Sequence, residues 1–196
     1  MKATLKMKTL VAAVAVAAGF AGTAQAASGT DTTSPYSVAN NVNFSIVIPG
    51  FLFFRVGALA ATNTLTFTVP DTDIGNPALP VAATGGDAAA SALNVEVRGN
   101  VGQITITPTV SSATGLTSVT VGNGTIDFAQ IATTSSDNTN LAAPALANTG
   151  GSIVQPVINA NRVTNRTAVW TYSYLNATVP GAGTYTGTAT YTATAP

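Results

Sequence analysis

The chain contains no cysteine and no histidine, and charged residues occupy only 7% of its 196 positions. Without cysteine, disulfide bonds are impossible, so stability outside the cell must come from an apolar core or from partner subunits. Without histidine, a Ser-His-Asp triad cannot form, and zinc sites of the His/Cys type are excluded. Lysine occurs only at positions 2, 6 and 8, so the usual activated nucleophiles and bases are also missing from the rest of the chain. The composition therefore predicts a protein that is not an enzyme and that needs no cofactor.

Residues 1–26 have the pattern of a secretory signal peptide. The lysines precede an apolar core at residues 10–20, which is too short to span a bilayer, and Ala24-Gln25-Ala26 matches the small-x-small cleavage site. We expect export by the general bacterial route and a mature chain that starts near Ala27. That chain would pass through the periplasm and become secreted or surface-exposed. No later apolar run is long enough for a spanning helix, so no membrane span is expected after cleavage.

The predicted mature chain carries little charge of either sign. Four arginines stand against seven acidic residues, which gives a net charge of −3. A basic surface that would bind nucleic acid is therefore not expected. Because the surface must consist mainly of small polar and apolar residues, subunits of this protein can pack closely with little electrostatic repulsion.

Short alternating segments separated by turn residues dominate the sequence after residue 41. They lie at residues 64–69, 93–98, 103–107, 117–121, 125–128, 152–158, 167–175 and 184–194. Such a series, with no long helical pattern, predicts an all-β protein with a single-domain, immunoglobulin-like antiparallel sandwich. A closed β-barrel is the alternative. We expect a flexible lead at residues 27–41 and the sandwich domain at residues 42–196.

The densest apolar run of the mature chain lies at residues 42–56. Alternation within its first half places four residues on one face of a strand, namely Val42, Phe44, Ile46 and Ile48. Pro49-Gly50 then marks a turn or a kink. The preferred interpretation is that residues 42–48 form the first strand of their own domain. The competing hypothesis is that they form a strand which is donated to a neighbouring molecule.

The last strand has the most regular alternation in the chain. Threonines occupy every even position from 184 to 194, and Tyr185, Gly187, Ala189 and Tyr191 lie between them. The run Gly181-Ala-Gly-Thr-Tyr-Thr-Gly-Thr-Ala-Thr-Tyr-Thr192 resembles the closing strand of bacterial chaperone–usher pilins and of the related spore-coat-U-like secreted domains. The chain departs from that pattern because it lacks the cysteine pair of most such pilins and their penultimate tyrosine.

The resemblance implies a pilin-like, incomplete sandwich with a groove beside its final strand. In such subunits a neighbour's N-terminal extension fills the groove as an added strand. The resemblance also implies a periplasmic chaperone as a partner and a homo-oligomer or polymer as the product. On this basis the expected self-association residues are Val42, Phe44, Ile46, Ile48, Tyr185 and Tyr191.

Two smaller clusters qualify as candidate binding residues. Asp71 and Asp73 lie in a Pro-Asp-Thr-Asp-Ile-Gly run, which is typical of a turn first and of a calcium loop second, because the later acidic ligand is missing. Trp170, Tyr172 and Tyr174 share one strand face. They therefore belong either to the core, with Trp170 at least partly buried, or to a glycan-binding platform.

These observations favour an exported, structural, self-associating β-sandwich subunit of a bacterial surface filament, such as a fimbria, or of an extracellular matrix. The sequence signal for it is the combination of an export segment, missing catalytic residues and two strongly alternating end segments. The alternative hypothesis is a monomeric secreted module that binds glycans through the aromatic face or through a face of threonines.

Overall fold

A computed structural model describes residues 28–59, 62–89 and 92–196 of the chain. The predicted signal peptide, residues 1–26, lies outside the described residues. The chain divides into two units, Met1–Val47 and Ile48–Pro196. The described part of the first unit contains no helix or strand. Its local order includes a turn in which the carboxylate of Asp31 accepts hydrogen bonds from the backbone N–H groups of Thr33 and Ser37, each at 2.9 Å.

The second unit is built almost entirely of antiparallel strands. The strands are β1 Leu52–Val56, β2 Leu65–Phe67, β3 Val81–Gly85, β4 Ala92–Gly99, β5 Thr105–Val110, β6 Leu116–Ser118, β7 Thr125–Ile126, β8 Ile131–Ser135, β9 Leu146–Ala147, β10 Gly150–Gly151, β11 Thr164–Tyr174, β12 Tyr185–Thr186 and β13 Ala189–Thr194. Two short 3-10 turns, Phe128–Gln130 and Ala160–Arg162, are the helical elements among the described residues.

One layer of the fold is a six-stranded sheet organised around β11. Its strands follow the order β1-β4-β11-β3-β2, and β8 also pairs with β11. Between β11 and β4 the register runs from Thr164 beside Gly99 to Thr171 beside Ala92. β3 then pairs with the end of β11, where Tyr174 lies beside Val81. Alternation along β11 buries one face, as expected for a sheet that is covered on one side.

The opposing layer pairs the C-terminal strands with the middle of the chain. β13 pairs with β5, β12 pairs with β6, and β6 pairs with β7, while β9 and β10 form a small hairpin. Buried residues from both layers form one core, in which Val97 and Trp170 of the first sheet join Ile106 and Ile126 of the second layer. The predicted all-β sandwich is confirmed, and the sheets of the described residues do not close into a barrel.

Trp170 and two tyrosines connect the two layers at the centre of the core. Trp170 is fully buried, which confirms the predicted burial, and its ring meets that of Tyr191 edge-on at 5.3 Å between centroids. The Tyr172 hydroxyl donates a hydrogen bond of 3.2 Å to the Tyr191 hydroxyl. Because Tyr172 belongs to β11 and Tyr191 to β13, this contact spans the sandwich.

The structure contradicts the preferred interpretation of residues 42–48. These residues form no strand, and the first strand of the described residues begins at Leu52. The expectation that Val42, Phe44, Ile46 and Ile48 form an internal first strand is therefore wrong. Alternation shows which side chains a segment can bury together, but it does not show which surface will bury them.

The buried tyrosine pair predicts an alkaline dependence of stability. Burial, followed by the charge interaction and hydrogen bond with Tyr191, raises the pKa of Tyr172, and burial also raises the pKa of Tyr191 against the opposing effect of their hydrogen bond. Unfolded tyrosines ionise near pH ~10, where the folded pair stays protonated. The stabilisation is therefore fully present below about pH 10 and is lost as the pH rises further, by up to ~1.4 kcal/mol per pH unit for each tyrosine.

Urea unfolding of the chain between about pH 9 and about pH 11.5 measures this loss. The double variant Tyr172→Phe/Tyr191→Phe should show a flatter profile, because phenylalanine cannot ionise in the unfolded state. Equal slopes for the wild type and the double variant would show that these two groups do not govern the alkaline transition.

Candidate functional site: an open apolar groove between two strand edges

A groove of about 1130 Å³ opens along the side of the second unit. One lip consists of residues 62–69, which include β2, together with Phe54 and Val56 of β1. The other lip is formed by residues 180–191, which lead into β12 and β13. The groove therefore lies between the edge strand of one layer and the edge strand of the other.

The floor of the groove is the hydrophobic core itself. Its apolar and aromatic floor residues come from both layers and are mostly buried: Leu93, Leu116, Ile126, Phe128, Ile131, Leu146, Tyr172 and Tyr174. In a closed sandwich a further strand would cover such residues. The groove thus runs along the edge of the core, between the two strand edges.

The first lip presents apolar side chains and a free backbone edge. Leu65, Phe67 and Val69 are partly buried, whereas the threonines between them are exposed, so the apolar face of the segment is turned toward the core. β2 pairs with β3 along one edge, and its other edge has no ladder partner in the described part of the chain. Unpaired N–H and C=O groups along such an edge can accept another strand.

The second lip has the same character. Tyr185, Ala189 and Tyr191 are partly buried and line the groove, while the alternating threonines are exposed, as the sequence pattern predicted. At Gly187 a Cβ atom would come within 2.7 Å of the Phe128 ring, so only glycine lets the strand pack this closely on the floor. β12 and β13 pair along one edge with β6 and β5, and their opposite edge is free of ladder partners among the described residues.

The six predicted self-association residues fall into two groups. Tyr185 and Tyr191 lie on the same groove wall, where the Tyr185 hydroxyl donates to the carbonyl oxygens of Gly181 at 2.8 Å and Asn123 at 3.1 Å. The other four residues lie upstream of β1 and are exposed: Val42 71%, Phe44 89%, Ile46 85% and Ile48 75%. The structure therefore gives an apolar groove and an exposed apolar segment in the same chain.

Sequence reasoning missed the first lip of the groove. Residues 64–69 were predicted as a strand, but the alternation of Leu65, Phe67 and Val69 is the same for a central strand and for an edge strand. The sequence pattern also does not show that Tyr174 lines the groove. Its hydroxyl is buried and has no hydrogen-bond partner among the described residues. Only the sheet order reveals that the outer edge of β2 is open.

Asp71 and Asp73 occupy a hydrogen-bonded turn. The Asp71 carboxylate accepts the backbone N–H of Thr72, and the Asp73 carboxylate accepts the Thr72 hydroxyl, both at 2.9 Å. The Asn176 side chain donates to the Asp73 carbonyl at 2.6 Å and accepts the Gly75 N–H at 3.0 Å. Within residues 28–59, 62–89 and 92–196 no three His, Cys, Asp or Glu residues cluster as a metal site. This geometry supports the turn interpretation.

The comparisons with protein-family models, with curated proteins and with solved structures each found no match to this chain. Among the described residues, no helix has both the length and the apolar character needed to cross a membrane.

Asn176 closes one end of the groove, and its replacement predicts a loss of stability. The residue is 1% exposed and has a φ of 55°. Asn176→Ala removes the hydrogen bonds to the Asp73 carbonyl and the Gly75 N–H and leaves these partly buried backbone groups without that partner, so we expect the free energy of unfolding to fall by about 1–3 kcal/mol. Denaturant unfolding of the variant and the wild type measures this fall. Asn176→Gly tolerates the positive φ, so it should recover only the part of the loss that comes from backbone strain. A loss below ~0.5 kcal/mol for Asn176→Ala would contradict a stabilising role for the two hydrogen bonds.

Proposed function

We propose that this protein is an exported structural subunit that assembles by strand addition, in which residues 42–48 of one copy fill the groove of the next. The product is a filament or an extracellular matrix at the bacterial surface. One observation carries the proposal: an unpaired alternating apolar segment and an open apolar groove occur in the same chain.

The exposed segment has the properties of an inserted strand. Its four even-numbered apolar residues are at least 71% exposed, and Val47 on the opposite face is 89% exposed. A soluble protein rarely leaves such a contiguous apolar stretch in water unless another molecule covers it. Burial of each Val, Phe or Ile side chain stabilises the buried state by roughly 1.5–3 kcal/mol, which supplies the driving force for insertion.

The groove offers what such a strand requires. Both lips carry backbone edges that no strand of the described residues pairs with, so an inserted strand can gain ladder hydrogen bonds on either side. Its apolar face then covers the floor, including Phe128 and Tyr174, while its other face points to solvent. Backbone pairing supplies affinity, and the alternating side chains supply the register.

The contact joins two different surfaces of the molecule, which determines the kind of assembly. An N-terminal segment that binds a neighbour's groove leaves its own groove free for a third copy. Such a heterologous contact produces open chains when the rotation between copies does not close a ring. The low charge of the chain reduces the repulsion between stacked copies.

Export and a chaperone complete the proposal. A subunit with an open core and free strand edges is prone to non-productive pairing before assembly. We therefore include a periplasmic chaperone that covers the groove during transit, in line with the signal-peptide pattern of residues 1–26. The alternative glycan-binding module loses its main support, because Trp170 and Tyr172 are 0% and 5% exposed and belong to the core.

Phe44→Asp tests the role of the segment. Because Phe44 is 89% exposed, the variant should keep the secondary structure and melting temperature of the monomeric subunit. Insertion would bury an unpaired carboxylate, so assembly should weaken by at least ~100-fold. Light scattering and electron microscopy of the exported chain at a series of concentrations measure assembly. Val47→Asp, an equally exposed apolar residue on the opposite face, is the matched control and should assemble normally.

A complementation experiment separates the two surfaces. Ala189→Asp places a charge on the groove wall and should block the acceptor while leaving the segment intact. Each single variant should stay monomeric, and an equal mixture of Phe44→Asp and Ala189→Asp should give heterodimers that do not grow. Equal assembly of Phe44→Asp and the wild type, or a wild-type chain that stays monomeric at every concentration, would refute the proposed function.

A further inference from the structure

We infer that Asn100 is a positioning residue that keeps residues 42–48 from entering the groove of their own molecule, so that they are available only to a neighbour. This inference rests on the proposed function. It concerns the three residues, Pro49, Gly50 and Phe51, that connect the exposed segment to β1.

Insertion within one molecule is a real competitor of assembly. A three-residue loop that contains glycine is a common hairpin connection. With residues 49–51 as the loop, Ile48 would lie opposite Leu52 and Ile46 opposite Phe54, along the free edge of β1. The apolar face of the segment would then match Phe54 and Val56, which line the groove. A tethered strand acts at an effective concentration near millimolar, so intramolecular insertion would outcompete a dilute neighbour if the loop could form.

Asn100 fastens these three residues to the end of β4. Its side-chain oxygen accepts the backbone N–H of Phe51 at 2.9 Å, and its side-chain nitrogen donates to the Pro49 carbonyl, also at 2.9 Å. Its own backbone N–H donates to the Phe51 carbonyl at 3.3 Å. Gly50 lies so close to the next turn that a Cβ atom would meet Val101 at 2.8 Å. The connection is thus fastened to the turn that follows β4, and the polar groups of Pro49 and Phe51 are already engaged.

The clamp also lies at the end of the sheet that is remote from the groove lip. Leu52 pairs with Gly99 at the last position of β4, whereas Phe67 of the lip pairs with Ala83 of β3. β1 runs from the clamp toward the groove, so the chain that enters β1 arrives from the opposite end. A connection fixed there favours capture of the segment by another copy, which gives head-to-tail growth.

Asn100→Ala tests the inference. Without the clamp, the segment should insert into its own groove and give a monomer at every concentration, with a loss of assembly of at least about tenfold by light scattering. Because the groove is then filled, the melting temperature of this monomer should exceed that of Phe44→Asp by several degrees, as expected for about 1 kcal/mol or more. The double variant Phe44→Asp/Asn100→Ala should lose this increase in melting temperature.

Gln103→Ala is the matched control, because it removes a side chain that bonds the Ile104 and Pro156 carbonyls near the same end of the domain but does not touch residues 49–51. It should assemble like the wild type. If Asn100→Ala assembles as fully as the wild type, or if its melting temperature equals that of the double variant, the inference is wrong while the proposed function stands. If the wild type itself never assembles, the proposed function fails, and the difference between Asn100→Ala and the double variant still decides what the clamp does.

Discussion

An apolar core that is bordered by an open groove on one side is the constraint on which the rest of this structure depends. The floor residues of the groove belong to the same buried cluster that holds the two layers together, so the opening leads directly into the core. Two strand edges without ladder partners among the described residues flank it. Apolar surface and unpaired backbone groups both favour a covering strand, and together they specify its nature: extended, alternating and apolar on one face.

The layers keep their spacing around this opening because aromatic contacts join them. Trp170 meets Tyr191 edge-on, and the hydroxyl groups of Tyr172 and Tyr191 are hydrogen-bonded across the sandwich. These residues lie beside the groove, where a collapsing core would otherwise draw β13 toward β11. Rigid aromatic packing of this kind preserves a shaped cavity, because protein interiors resist compression. The same tyrosine pair therefore contributes to stability and to the readiness of the groove for a strand.

The sequence pattern predicted most strands well, but it placed residues 42–48 in an internal strand that the structure does not contain. Alternation located the lip at residues 64–69, the central strand at residues 167–175 and the final strand, because period-two burial is a local property. The same logic placed Val42 and Phe44 in an internal strand, although both are exposed. An alternating pattern shows which side chains lie on one face of an extended segment, and it does not show whether the same molecule buries that face. The hydrogen bonds of Asn100 could not be predicted from the sequence either. They join residues 49 positions apart and involve backbone groups that every residue carries.

In the proposed assembly, three residues decide whether the segment enters the groove of its own molecule or that of a neighbour. An apolar segment and its groove within one chain would ordinarily combine, since the tether makes the intramolecular reaction the faster and stronger one. Pro49 and Phe51 are fastened to Asn100 at the end of the sheet away from the groove lip, and in the inferred role of Asn100 this contact opposes the intramolecular reaction. A subunit of this design has no disulfide bond and few charges to stabilise it alone. In the proposed assembly, a second copy supplies the covering strand, and burial of its apolar face adds to the stability of the subunit.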